Sequence, residues 1–261
     1  MQSLDLETAD GLRLEAISHP ASRRPRVGAV VAAHDLALDL DQGGMFMRLA
    51  ERLSVAGFDV LRFSFRGHGG SEGAQRDVTV AGEILDLRAA AEAARDQYGG
   101  PMFLVAAGLA AVPILTSLAD LGFEPGGLAL WAPVLDPRST FVEPALRWGV
   151  DNFGSDARQR REHDQFVLID GEFELGRQML DEMGRLRPDQ ALLASGVPTL
   201  IVHGDRDDVA SHAVARRLSD SRPECRFHSV RGAGHGFDDR AHEDAVLDVT
   251  TSWLVGHRSL S

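Results

Sequence analysis

Short apolar runs recur along this chain, and stretches with helical spacing separate them. Val27–Ala33, Phe58–Phe65, Met102–Ala106, Gly127–Trp131, Thr199–His203 and Arg226–Val230 each read as a strand. Strands without strict apolar–polar alternation must be covered on both faces. The pattern therefore predicts an α/β fold, a mostly parallel twisted sheet between two layers of helices. Gly44–Ala56 reads as an amphipathic helix stopped by Gly57. Val80–Tyr98 is a longer one that turns Leu85, Leu87, Ala91 and Ala94 to the sheet and stops at Gly99-Gly100-Pro101. At the start, Ser3–Ile17 alternates around Asp10-Gly11 and predicts a hairpin at a sheet edge.

One interval breaks the alternation. From Pro137 to about Ser195 the pattern is mixed and helical, with Phe166–Ile169 the single strand candidate. The expected organisation is a core built from residues 1–136 and 196–261, with residues 137–195 inserted as a small helical cap. Phe141, Trp148, Phe153, Phe166, Phe173, Met179 and Met183 supply the cap's large apolar side chains. Packing of the cap onto the body is the expectation for most of them; Phe141 and Trp148, together with Asp35 of the body, are the candidates for substrate contact.

The 261 residues suffice for one large domain, and the net charge is −12, from 27 Lys+Arg against 39 Asp+Glu. The single basic cluster, Arg158-Gln159-Arg160-Arg161, is too small to serve a phosphate backbone or an anionic membrane. One cysteine, Cys225, excludes an internal disulfide framework and is expected to be a buried structural thiol. The N-terminal residues have no charged and apolar regions of a signal peptide. A cytoplasmic protein that takes a small-molecule or peptide substrate is expected. No residues have metal-ligand spacing, and no cofactor is expected.

Six segments, in order, carry a resemblance. They are Val30-Val31-Ala32-Ala33-His34-Asp35-Leu36, Arg66-Gly67-His68-Gly69-Gly70-Ser71, Val105-Ala106-Ala107-Gly108-Leu109-Ala110, Trp131-Ala132-Pro133-Val134, Pro198 to Asp207, and Gly232-Ala233-Gly234-His235-Gly236-Phe237. Together they resemble the α/β-hydrolase superfamily, in particular its small-cap serine esterase and aminopeptidase-like branch. The resemblance implies Asp207 as the catalytic acid and His235 as the general base. It also implies the amides of Leu36 and Leu109 as an anion-binding pair. Asp207 can alternatively be read as the cap of the following helix, with Asp208 competing. His34 and His203 are expected to hold loops.

The resemblance fails at one residue. Gly108 stands where the family carries its nucleophilic serine, in G-x-S-x-G, and Ala106 and Ala110 replace the glycines. Glycine has no hydroxyl to acylate. Ser71, Thr116, Ser117 and Cys225 are all misplaced as substitutes. Asp35 replaces the glycine of the family's His-Gly pair, where a carboxylate could reach the pocket. The favoured expectation is that Asp35, Asp39 and Asp41 form a solvated acidic loop. Three functions follow from these residues. Ranked first is proton transfer of epimerase, lyase or cyclase type by a His235–Asp207 dyad, with natural-product biosynthesis as its setting. Second is hydrolysis by water that His235 activates, and third is ligand binding without catalysis.

Overall fold

The computed structural model describes residues 1–154 and 165–257, so the Arg158–Arg161 cluster lies outside the described residues. Eight strands form one sheet in the order β1 (Gln2–Glu7), β2 (Arg13–His19), β4 (Phe58–Phe63), β3 (Gly28–Ala33), β5 (Met102–Ala107), β6 (Gly127–Trp131), β9 (Thr199–Gly204), β10 (Cys225–Val230). The β1–β2 and β2–β4 pairs are antiparallel and every other pair is parallel. The order reverses around β3, so the loops after β3 and β5 open side by side at the carboxyl edge. Open α/β sheets place their sites at such a switch point.

Side-chain period two sorts the strands' residues onto the two faces. Val31, Ala33, Leu61, Phe63, Leu104 and Ala106 pack with Leu87, Ala90, Ala91 and Ala94 of α2 (Val80–Tyr98) and with Ile114 of α3 (Ala111–Ser117). Val30, Ala32, Val60, Phe103 and Val105 meet α1 (Met45–Ala56) and the C-terminal α8 (Arg240–His257) on the other face. Each of these buried Leu, Val or Phe side chains contributes about 1.5–3 kcal/mol. The helix ends follow their residues. Thr79 caps α2 by accepting from the Gly82 amide at 2.9 Å, and Gly57 closes α1 with a φ of 100°. Leu85, expected toward the sheet, is only half-buried; Ala90 takes that place.

Between β6 and β9 the chain forms a single π-helical turn (Arg138–Val142), α4 (Arg147–Phe153), a two-stranded hairpin of β7 (Phe166–Ile169) and β8 (Phe173–Gly176), then α5 (Arg177–Met183) and α6 (Pro188–Ala194). Phe141, Phe153, Phe173, Met179 and Met183 are buried together against Leu109, Val112 and Val134 of the body. Packing is therefore what most of this segment's large side chains do. After β9, α7 (His212–Asp220) leads to the edge strand β10, where Cys225 is half-buried rather than buried. Its position at the sheet edge leaves one flank without a covering strand.

A buried ion pair fixes the glycine-rich loop beneath the site. Arg66 donates from Nε at 2.9 Å and from Nη2 at 2.7 Å to Asp86 Oδ1, and from Nη1 at 2.8 Å to Asp10. Asp86 lies on α2 and is fully buried, so Arg66 ties the loop, the first hairpin and the helix together. Gly82 leaves room for this guanidinium, since a Cβ there would come within 2.8 Å of it. Ser71 serves the same loop, donating to the Ser64 carbonyl at 2.6 Å.

Candidate functional site

His34 follows β3 and sets the path of the chain beyond it. Its Nε2 accepts from the Phe65 amide at 2.9 Å and its Nδ1 donates to the Asp35 carbonyl at 2.7 Å. That pattern requires the neutral ring. Burial and the neighbouring His68 push its pKa down to about 3, so it stays neutral. The loop that follows is held by the Asp35 amide donating to Gln42 Oε1 at 2.7 Å.

The Asp35 side chain then turns inward, against the expectation of a solvated loop. Oδ1 accepts from the amides of Leu36 and Leu109, each at 2.7 Å. Oδ2 lies 3.0 Å from His235 Nε2. The two amides anticipated as an anion-binding pair do converge, and they converge on a carboxylate of the chain itself. Asp41 is also occupied, paired with the buried Arg62. The Asp39 side chain stays exposed and accepts from the nearby Asp41 amide, whereas Asp35 and Asp41 also reach partners remote in sequence.

Gly108 forms the turn between β5 and α3 with a φ of 46°, in the left-handed region. A Cβ at this position would fall 2.0 Å from Asp35 Oδ1. The space a side chain would need at residue 108 is therefore filled by Asp35. Thr116 and Ser117, further along, bond back to the carbonyls of Val112 and Pro113 and do not face the site.

Asp207, after β9, is fully buried and shares its carboxylate among four donors. Oδ1 accepts from the amides of Val209 and Ala210, both at 2.8 Å, and Oδ2 from His203 Nε2 at 2.9 Å and His235 Nδ1 at 2.8 Å. Asp207 thus both caps its turn and orients the imidazole. Burial opposes its charge, but the His203 and His235 contacts outweigh burial and hold the carboxyl well below the usual range. His203 acts through Asp207 as well as through the loop: its Nε2 also lies 3.2 Å from the Ala210 carbonyl.

His235 is therefore clamped between two carboxylates. Burial works against its protonation, yet Asp207 and Asp35 together raise its pKa to about 10. Near neutral pH the resting site is a carboxylate, an imidazolium and a second carboxylate in line. Asp35 in turn is kept below the ordinary carboxylate range, since His235 and the two amides overcome its burial.

Above this line lies a cavity of about 190 Å³. Asp35, Leu36 and His235 line it, with Ala37, Val134, Phe141, Trp148, Ile169, Asp170 and Val209 around them. All three expected contact residues, Asp35, Phe141 and Trp148, line it, and the two rings sit with centroids 6.0 Å apart and nearly perpendicular. Asp170 and Asn152 went unnoticed in the sequence. Trp148 Nε1 donates to the Asp170 carboxylate at 3.0 Å, and Asn152 bridges the two elements by accepting from the Asp170 amide. An Asp-Gly pair at 170–171 is the signal that could have revealed the hairpin turn carrying Asp170. A larger, open cleft between α3 and the 191–197 segment contains neither His235 nor Asp35. Among the described residues no cluster of histidine, cysteine and carboxylate side chains is arranged to hold a metal ion, and no helix is long and apolar enough to cross a membrane.

Residues 25–237 match the family model described as serine aminopeptidase, S33. A monoacylglycerol lipase from Mycolicibacterium smegmatis is 26% identical over 255 residues, covering 88% of this chain and 89% of the lipase. The structure of Est1E from Butyrivibrio proteoclasticus with bound ferulic acid superposes with a TM-score of 0.81 at 16% identity, covering 97% of this chain and 98% of that one. A monoacylglycerol lipase from Paleococcus ferrophilus gives 0.67 at 20% identity, covering 94% and 99%. The two structures bear out the α/β-hydrolase fold. The family and its relatives overturn the expectation of proton-transfer chemistry. A glycine at 108 led from an absent serine to an epimerase, lyase or cyclase serving natural-product biosynthesis, whereas the likenesses point to hydrolysis.

Proposed function

The chain belongs to the serine aminopeptidase (S33) family, and we propose that it hydrolyses small, largely apolar acyl esters in the cavity above His235. The observation that carries this reading is the line from Asp207 through His235 to Asp35, with His235 Nδ1 at 2.8 Å and Nε2 at 3.0 Å from its partners. A histidine fixed by a buried carboxylate and facing a cavity is suited to moving protons to and from a substrate. The lipase and esterase relatives favour an ester bond as the one cleaved. A cavity of about 190 Å³ lined by Phe141 and Trp148 favours a small acyl group.

In this reading residues 137–195 act as the cap, and Phe141 and Trp148 grip the acyl chain. Gly108 lends its turn and the Leu109 amide, but no reacting atom. Hydrolysis of p-nitrophenyl esters of increasing chain length tests the reading. Short chains are expected to be preferred, His235→Gln to lower kcat by about 100- to 10,000-fold, and Trp148→Ala to raise KM. Turnover that His235→Gln leaves unchanged would refute it.

A further inference from the structure

We propose that Asp35 is the covalent nucleophile of this site and that its substrate is a small acyl thioester. The proposal rests on the hydrolase reading and adds the reacting atom and the leaving group. Among the described residues, no serine, threonine or cysteine lines the cavity. Two carboxylates do, and Asp170 is taken by Trp148 and Asn152. Asp35 is left, with Oδ1 fixed on two amides and Oδ2 on the side of His235. Its carboxylate fills the space a side chain at residue 108 would occupy, so the glycine and the aspartate are one arrangement.

A carboxylate nucleophile restricts the leaving group. It is a weak base, so the group it displaces must leave readily. A thiol ionises near ~8.5, whereas an alcohol resembles water, near ~16. Thioesters are therefore the acyl donors that match this nucleophile. In the first step Oδ2 forms a bond to the acyl carbon, and the carbon–sulfur bond breaks with its electron pair moving to sulfur. His235, charged at rest, gives its Nε2 proton to the departing thiolate. The result is a mixed anhydride on Asp35, a free thiol and a neutral His235 that has lost one of its two anionic partners. His235 is now a base and takes a proton from water as the water oxygen adds to Asp35 Cγ. The negative charge moves onto Oδ1, which already lies on the Leu36 and Leu109 amides. Collapse breaks the Cγ–Oδ2 bond and releases the acyl carboxylate. Asp35 then gives up one proton to solvent, and His235 is charged again. Thioester and water become carboxylate, thiol and a proton.

The water oxygen therefore ends in Asp35 after the first turnover, because the amide pair serves Cγ and not the substrate's carbonyl. The test is one turnover of the butyryl thioester of N-acetylcysteamine by excess wild-type protein in heavy-oxygen water. Proteolysis and mass spectrometry of the peptide carrying Asp35 follow. A parallel reaction with hydroxylamine traps the anhydride as a hydroxamate at Asp35. Heavy oxygen and hydroxamate on Asp35 are expected, with the matching oxygen ester cleaved roughly 100-fold more slowly. Thioester turnover that leaves Asp35 unlabelled and untrapped overturns the nucleophile while leaving the hydrolase reading in place. Failure to cleave either ester overturns both.

Discussion

Replacing Gly108 by serine tests the coupling between that residue and Asp35 with a calculable cost. The new Cβ would sit 2.0 Å from Asp35 Oδ1, far inside any real contact, so the carboxylate must move. Moving it breaks the bonds to the Leu36 and Leu109 amides and the contact with His235. Hydrogen bonds to a charged group contribute about 1.5–3 kcal/mol each. The φ of 46° adds about 1–2 kcal/mol for a residue with a side chain. Rehydration of the expelled carboxylate offsets part of this, leaving a net loss of about 3–6 kcal/mol. For a chain of this length that lowers Tm by roughly 6–24 °C. Asp35→Gly removes the obstacle, so the double variant Asp35→Gly/Gly108→Ser should lose less than the two single losses together. Urea denaturation of the four proteins gives the coupling directly, and at least ~2 kcal/mol is expected. Losses that add to within ~0.5 kcal/mol would refute the claim that the two residues share one space.

Further outcomes follow from the charges. His235 is raised from 6.5 to about 10, so its stabilisation is complete below about pH 6.5 and fades as pH rises through about 10. Asp35 and Asp207 are lowered, so their contribution is present above the ordinary carboxylate range and fades as pH falls below it. Denaturation midpoints should accordingly decline between pH 7 and 10, and Asp35→Asn should move that decline to lower pH; superimposable curves for the two proteins would count against the clamp. Arg66→Met leaves Asp86 buried without its cation and should cost about 3–5 kcal/mol. A chemical denaturation curve unchanged by that substitution would contradict the role given to Arg66.

Much of the body was legible because local signals and tertiary demands agree there. Gly99 ends α2 at the residue expected, and the continuous apolar runs become the inner strands, where both faces are covered. The hairpin partner Phe173–Gly176 was missed, since a short strand leaves too few residues to establish a period. His235, Asp207, Leu36 and Leu109 were found through the resemblance, and the folded chain brings all four together. The inward turn of Asp35 was not legible. Besides the adjacent Leu36 amide, its partners lie 74 and 200 positions away in the sequence, and nearby Asp39 and Asp41 make residue 35 look like one of an acidic group. Gly108 misled for the same reason. Viewed alone it signals a lost reaction; beside Asp35 it marks where another side chain needs room.

Titration of the His235 ring by NMR tests the clamp between two carboxylates most directly. The imidazole should remain charged through neutral pH and lose its proton near pH 10, and Asp35→Asn should bring that midpoint down. A ring that titrates near its ordinary 6.5 in the wild-type protein, or one that ignores Asp35→Asn, would contradict the account.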